Sequence, residues 1–166
     1  MIADKTNLSA NELMIDAWRY HNNAHYAEAR KISLNVLEID PANPDALHLM
    51  GVLAYLNNQQ DIAIELISAA IQIHNKYAPM HGNLALAKTA VGDLKGAAAS
   101  CRKALALNPT YADAHRVLGI VLQKQGKLKD ALREFQRAYK LGLDTEELRT
   151  YLAITQEELG RPKRLG

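Results

Sequence analysis

Residues 112–145, ADAHRVLGIVLQKQGKLKDALREFQRAYKLGLDT, contain two apolar faces separated by a short polar stretch. The first half has apolar residues at the i, i+3, i+4, i+7, i+8 spacing of one helix face: Ala114, Val117, Leu118, Val121 and Leu122. The second half repeats this arrangement of apolar residues: Leu128, Ala131, Leu132, Phe135 and Ala138. Only Gln125-Gly126-Lys127 lies between the two faces, so the segment predicts an antiparallel pair of helices joined by a tight turn.

The same arrangement recurs along the chain with a period of 34 residues. A first series of small residues keeps this spacing: Ala17, Gly51, Ala85, Gly119 and Ala153. A second series also keeps it: Ala29, Ala63, Ala97 and Ala131. A third series follows apolar segments, where a left-handed residue would end a helix: Asn58, Gly92, Gly126 and Gly160, with Ala24 as the exception. Helical pairs with this period must stack on one another to bury their apolar faces.

The period divides the chain into an N-terminal extension (1–9), four units (10–43, 44–77, 78–111 and 112–145), a capping helix (146–160) and a tail (161–166). Proline marks the joints, as in Asp40-Pro41-Ala42-Asn43-Pro44, because proline cannot continue a helix. Asn43 is a good N-cap, with Pro44 at the first helical position. Asp16 and Arg19 replace apolar residues of the later units, which indicates that no earlier repeat stacks there. Pro162 would interrupt a second helix after the cap.

These features resemble the tetratricopeptide repeat, in a form similar to that of bacterial proteins. The resemblance is carried by matching positions in the third and fourth units: Leu84, Ala85, Ala97, Ala104 and Pro109, then Leu118, Gly119, Ala131, Phe135 and Ala138. His81 and His115 stand where the family often has Trp, without a change of register. The resemblance implies an all-α fold, a right-handed superhelical solenoid of antiparallel helix pairs with a C-terminal capping helix. It also implies a concave groove that binds a protein or peptide segment.

The family geometry places the groove residues on the first helix of each unit. The candidate groove residues are Trp18, His48, Val52, Tyr55, Asn83, Leu86, Arg116, Ile120 and Tyr151. The predicted surface is apolar and aromatic, which suits hydrophobic anchors of a bound segment. In the alternative interpretation, Trp18, Val52 and Ile120 complete the packing between adjacent first helices.

The composition and the motifs of the sequence favour a binding protein over an enzyme. Once the residues are assigned to the predicted helices, they form no set of catalytic residues, no phosphate-binding loop and no cofactor motif. We therefore expect no enzyme activity and no cofactor. His21 and His25 are four residues apart, but His25 falls at a turn, so no metal site is expected. Cys101 is expected to be an inert core thiol. A net charge of +2 gives no basic excess for nucleic acid, and nothing in the sequence supports a homo-oligomer.

The opening stretch MIADKTNLSA lacks the apolar core of a signal peptide, and no segment approaches the ~20 apolar residues of a membrane span. We therefore expect a cytoplasmic protein that does not insert into membranes.

Three functions fit these observations. The first is a non-catalytic adaptor that binds a partner in its groove. The second is the N-terminal recruiting domain of a larger bacterial glycosyltransferase or sulfotransferase, because residues 40–52, DPANPDALHLMGV, look like a repeat of such proteins. The third is a small secretion chaperone. A clamp for the C-terminal carboxylate of heat-shock chaperones is disfavoured, since only Asn83 matches the residues that such clamps use.

Overall fold

The structure, a computed structural model, describes residues 9–160. Within this range the chain forms nine α-helices and no β-strand. They are α1 (Ala10–Asn22), α2 (Tyr26–Ile39), α3 (Pro44–Leu56), α4 (Gln60–Ile73), α5 (Ala78–Ala90), α6 (Leu94–Leu107), α7 (Ala112–Lys124), α8 (Leu128–Lys140) and α9 (Glu146–Gly160). The all-helical fold class predicted from the sequence is confirmed.

The helices pair into antiparallel hairpins, α1 with α2, α3 with α4, α5 with α6 and α7 with α8. The first helices begin at Ala10, Pro44, Ala78 and Ala112, and α9 begins at Glu146, so that successive starts are 34 residues apart. The chain separates into two compact units, one ending at Asn75 and one beginning at Lys76. The first unit holds α1–α4 and the second holds α5–α9. The division into four repeats and a cap is our proposal for the organisation of the chain.

Side chains before the helices supply the caps that the backbone needs. Ser9 and Glu12 form a reciprocal capping box at α1, in which the Ser9 backbone N–H donates to Glu12 Oε2 at 2.8 Å. At α3, the Ala46 N–H donates to Asn43 Oδ1 at 3.1 Å and Pro44 is the first helical residue. The prediction of an Asn43 cap is therefore confirmed. The predicted tail, with Pro162, and residues 1–8 of the N-terminal extension lie outside the described residues.

The turns inside the hairpins use a left-handed residue. Asn58, Gly92 and Gly126 have φ of 57°, 82° and 73°. Ala24, the exception in the sequence, adopts the same conformation with φ of 59°. The prediction for Gly160 is wrong, because Gly160 is the last residue of α9 and has no left-handed φ. Hairpin geometry therefore imposes the conformation at residue 24 despite an unfavourable side chain.

Replacing Ala24 by Gly is expected to stabilise the protein by about 0.5–1 kcal/mol, since it removes the left-handed strain of a Cβ at that position. The matched control is Ala27→Gly, the same chemical change on the exposed first turn of α2. That control should destabilise the helix by up to about 1 kcal/mol. Urea unfolding measures both effects, and equal shifts in the two variants would contradict the prediction.

One pair of buried positions recurs in every hairpin, and we call it the matched pair. It consists of the eighth residue of the first helix and the residue sixteen positions later on the second helix. The four matched pairs are Ala17 with Ser33, Gly51 with Ile67, Ala85 with Cys101 and Gly119 with Phe135. All eight residues are buried. Glycine stands opposite the two large side chains, and alanine stands opposite the two small ones. A Cβ on Gly51 would lie only 2.6 Å from Ile67 Cγ1, so the glycine leaves the space that isoleucine fills.

The second unit has a core that continues into α9. Leu148 is fully buried, and the Tyr151 ring stacks on Phe135 with centroids 5.3 Å apart. Thr155, also fully buried, accepts a hydrogen bond from Gln123 Nε2 at 3.3 Å and donates one to the Tyr151 carbonyl at 2.6 Å. These contacts hold α9 against α7 and α8, as expected for a capping helix.

Candidate functional site

The first unit brings Trp18 of α1 and His48 of α3 into contact. Their ring centroids are 5.1 Å apart, and the His21 ring meets Trp18 edge-on at 5.4 Å. His48 is 1% exposed, whereas Trp18 is half-buried. Burial, together with the nearby His21, lowers the pKa of His48 to about 4. At neutral pH the His48 imidazole is therefore uncharged and packs against the Trp18 ring.

A surface cavity of about 530 Å³ lies beside this aromatic cluster. We call it the Trp18 cavity, and its lining residues are Asn11, Met14, Ile15, Trp18, Arg19, Asn22, Asn23 and Asp45. Three side-chain amides supply both hydrogen-bond donors and acceptors. Arg19 forms an ion pair with Asp16 at 2.8 Å. The cavity thus combines apolar contact area with neutral polar groups, a composition typical of ligand sites.

The candidate groove residues of the first unit divide between this cavity and its support. Trp18 lines the cavity and His48 packs against the Trp18 ring. Val52 and Tyr55 of α3 are partly buried and do not line the cavity. Their contact with a ligand stays a prediction.

The candidate groove residues of the second unit have packing partners in the structure. Ile120 belongs to the buried core, and Leu86 and Tyr151 pack against it. Arg116 is held between Asp113 and Glu147, at 3.3 and 3.2 Å, so that it ties α7 to α9. This packing fits the alternative interpretation of Ile120 given from the sequence. Asn83 is partly buried on α5, and its place in a groove stays a prediction.

Ile15, Asn22 and Asn23 line the Trp18 cavity but were not among the candidate residues. Ile15 is 68% exposed, although Leu49 and Val117, at the same place in their repeats, are buried. The signal was available in the sequence, since Asp16 and Arg19 replace apolar residues on the same side of α1. An exposed apolar residue beside a cavity is available to a ligand.

Three features of the described chain concern metal binding, membrane-spanning helices and the reactivity of the cysteine thiol. In residues 9–160, no group of three or more His, Cys, Asp or Glu side chains is placed to hold a metal ion. No helix in the same range is long and apolar enough to cross a membrane. Cys101 is fully buried, and burial raises the pKa of its thiol to about 12, so the reactive thiolate is suppressed at neutral pH.

Stacked helical hairpins with a fixed period of 34 residues define this protein as a helical-repeat protein. The family model described as "Tetratricopeptide repeat" matches residues 88–153. Over this segment the chain therefore consists of tetratricopeptide repeats.

Relatives of known sequence support this assignment. Tetratricopeptide repeat protein 36 from Bos taurus is 34% identical over 101 residues, which cover 58% of this chain and 54% of the relative. Small glutamine-rich tetratricopeptide repeat-containing protein 2 from Saccharomyces cerevisiae is 28% identical over 122 residues, which cover 72% of this chain and 34% of the relative. The chain therefore spans about a third to a half of the length of these two relatives.

Solved structures share the fold. The thermophilic TPR protein TTC0263 of Thermus thermophilus superposes with a TM-score of 0.79 at 22% identity, over 92% of this chain and 84% of that one. The first TPR of Spaghetti (RPAP3), solved with the HSP90 peptide SRMEEVD, gives a TM-score of 0.69 at 21% identity, over 72% of this chain and 97% of that one.

Proposed function

We propose that this chain is a non-catalytic interaction module that binds a protein or peptide segment at the Trp18 cavity. The observation that carries the proposal is the half-buried Trp18 ring, held by His48 and His21 at the edge of a cavity of about 530 Å³. A large aromatic side chain already held by its neighbours loses little conformational entropy on binding, which favours such residues as anchors.

The chemistry of the cavity favours an extended or helical segment with an apolar anchor. The apolar side chain of the ligand would pack on Trp18 and Ile15, both of which line the cavity. The amides of Asn11, Asn22 and Asn23, which line the cavity, would pair with the backbone of the segment, which has both donors and acceptors. The peptide complex of the RPAP3 repeat supports a peptide as the kind of ligand, although that peptide, SRMEEVD, is acidic.

The charges around the cavity disfavour an acidic peptide tail as the ligand. Arg19 is the one basic residue among the described residues of the lining, and Asp16 already pairs with it at 2.8 Å. Asp45 adds a negative charge to the same lining. A ligand carboxylate would therefore meet no uncompensated cation among the lining residues, and a neutral apolar segment fits better.

The narrower interpretations from the sequence remain proposals. They are a recruiting domain of a larger glycosyltransferase or sulfotransferase, a secretion chaperone, a bacterial origin and a cytoplasmic location. The mass of the native gene product tests the first of these interpretations, because a recruiting domain belongs to a much larger polypeptide. A band near 18.4 kDa would favour a freestanding adaptor.

Trp18→Ala is expected to weaken binding of a selected peptide about tenfold or more, as truncation of an aromatic anchor does. Displayed dodecapeptides would be selected on the full chain, and the most enriched one would be titrated by fluorescence polarisation. Ile15→Lys is the second variant, since an exposed position tolerates lysine without a folding cost.

The control for this experiment is Val91→Ala, which removes an exposed apolar side chain from the second unit. It should leave the peptide affinity unchanged. Undiminished affinity in both Trp18→Ala and Ile15→Lys, with unchanged helicity, would overturn the assignment of the Trp18 cavity as the binding site.

A further inference from the structure

The first unit contains a second cavity, of about 430 Å³, that shares no lining residue with the Trp18 cavity. We call it the inter-repeat slot, since its lining comes from both hairpins of the unit: Tyr26, Ala27, Arg30, Met50, Leu53, Ala54, Leu56, Asn57, Gln59, Ile62 and Leu66. The lining is mostly apolar. Leu56 is 47% exposed and Ile62 is 45% exposed, so large aliphatic side chains face solvent here.

Repeat stacking does not require these apolar residues. In the second unit, the equivalents of Leu56 and Ile62 are Lys124 and Asp130. In the corresponding region there, Leu94 packs against the core and its carbonyl accepts a hydrogen bond from Gln125 Nε2 at 3.3 Å. The first unit therefore carries exposed apolar side chains where the same fold is stable with charged ones. Such a patch marks an interaction surface.

The charge distribution indicates what binds there. Residues 9–75 hold three Lys or Arg against eight Asp or Glu, a net charge of −5, while residues 76–160 hold thirteen against nine, a net charge of +4. Asp61 and Glu65 lie exposed on α4, next in sequence to the slot residues Ile62 and Leu66. Within residues 9–160, Arg30 is the one charged residue in the slot lining. The field of the whole first unit therefore favours a positively charged partner with apolar side chains.

The second unit of the same chain has a surface with that chemistry at the C-terminal end of α8. Tyr139 and Leu141 are exposed there, although both are large and apolar. Arg137 and Lys140 are exposed beside them. This segment presents two apolar side chains interleaved with cations, and a second copy of the protein supplies it at the same concentration as the slot.

We propose that the inter-repeat slot binds the C-terminal end of α8 of a second copy. Tyr139 and Leu141 of one copy enter the slot of the other, while the opposite net charges of the two units attract them. The two surfaces differ, so two copies joined by one such contact keep one slot and one α8 end for a further contact. Self-association therefore proceeds beyond the dimer or closes into a ring.

The test is sedimentation velocity of the full chain over a range of concentration at low and high salt. The average mass should rise with concentration at low salt, and the association should weaken about tenfold or more at high salt because salt screens the charge attraction. Leu56→Lys with Ile62→Asp installs the residues that the second unit has at these places, so it should preserve the fold and abolish association. Arg137→Glu with Lys140→Glu should also abolish it.

Mixing the two double variants separates this contact from any symmetric one. Each variant keeps one intact surface, so an equimolar mixture should form a dimer and stop there. Trp18→Ala should associate like the natural sequence, which distinguishes this contact from peptide binding at the Trp18 cavity. A chain that stays monomeric at every concentration and salt, or a mixture that fails to dimerise while both variants keep their helicity, would overturn the proposal.

Discussion

Replacing Gly119 by Ala is expected to destabilise the protein by about 1–3 kcal/mol, a cost typical of overpacking a dense core. The new Cβ would lie 2.5 Å from Cδ1 and Cε1 of Phe135. The Phe135 ring is fully buried and stacks on Tyr151, so it has no free space to move into. Urea unfolding followed by circular dichroism measures the loss.

The opposite deletion, Phe135→Ala, is expected to cost about 3–5 kcal/mol because it leaves a cavity in the same place. Gly119→Ala with Phe135→Cys recreates the matched pair of the third repeat, Ala85 with Cys101. The double variant should be less destabilised than the sum of its two single changes, with a coupling of about 0.5 kcal/mol or more.

Gly160→Ala is the control for Gly119→Ala, since a Cβ at Gly160 meets nothing within 4 Å. Gly160 also has a helical rather than left-handed conformation. The control should be neutral or slightly stabilising. Equal unfolding midpoints for Gly119→Ala and Gly160→Ala would show that the close approach to Phe135 is relieved without cost.

The second prediction with a large expected effect concerns His48, which makes the free energy of unfolding fall as the solution becomes acidic. Its pKa is about 4 in the folded chain, whereas the ordinary value is 6.5. As the pH falls below 6.5, the unfolded chain binds a proton that the folded chain rejects until the pH nears 4. The contribution of the neutral imidazole is thus complete above pH 6.5 and is lost through that window, by about 3 kcal/mol in total.

His48→Gln removes the titrating group and should flatten the pH dependence of the unfolding free energy in this window. The free energy of unfolding is compared between the variant and the natural sequence at about pH 7, 5.5 and 4.5, so that the carboxylates common to both cancel. His21→Gln should have a smaller effect, because His21 is the lesser cause of the shift, after burial. Parallel pH curves for His48→Gln and the natural sequence would contradict the prediction.

The sequence predicted the helical repeats well because the fold depends on local signals. Apolar spacing and caps such as Asn43 act within one helix, and the small residues at the matched pairs act within one hairpin. Ala24 shows the limit of this approach, since the geometry of the hairpin overrides the preference of the residue for a right-handed conformation.

The candidate site was harder to predict because it depends on contacts between elements that are far apart in sequence. Arg116, a candidate groove residue, pairs with Glu147, which lies 31 residues later on α9, and no local pattern predicts that contact. The cluster of Trp18 with His48 requires the packing of α1 against α3, which no local pattern describes. The opposite charges of the two units are hidden in the net charge of the whole chain, which is only +2.

The matched pairs also decide which pieces of such a chain can be exchanged during evolution. A recombination point inside the turn of a hairpin would join one first helix to a foreign second helix, for instance Ala17 to Phe135 or Gly119 to Ser33. The hairpin that pairs Ala17 with Phe135 would be overpacked, and the hairpin that pairs Gly119 with Ser33 would contain a cavity. A recombination point between hairpins keeps every pair intact. The hairpin is therefore the smallest segment that can be duplicated, lost or shuffled without a compensating change.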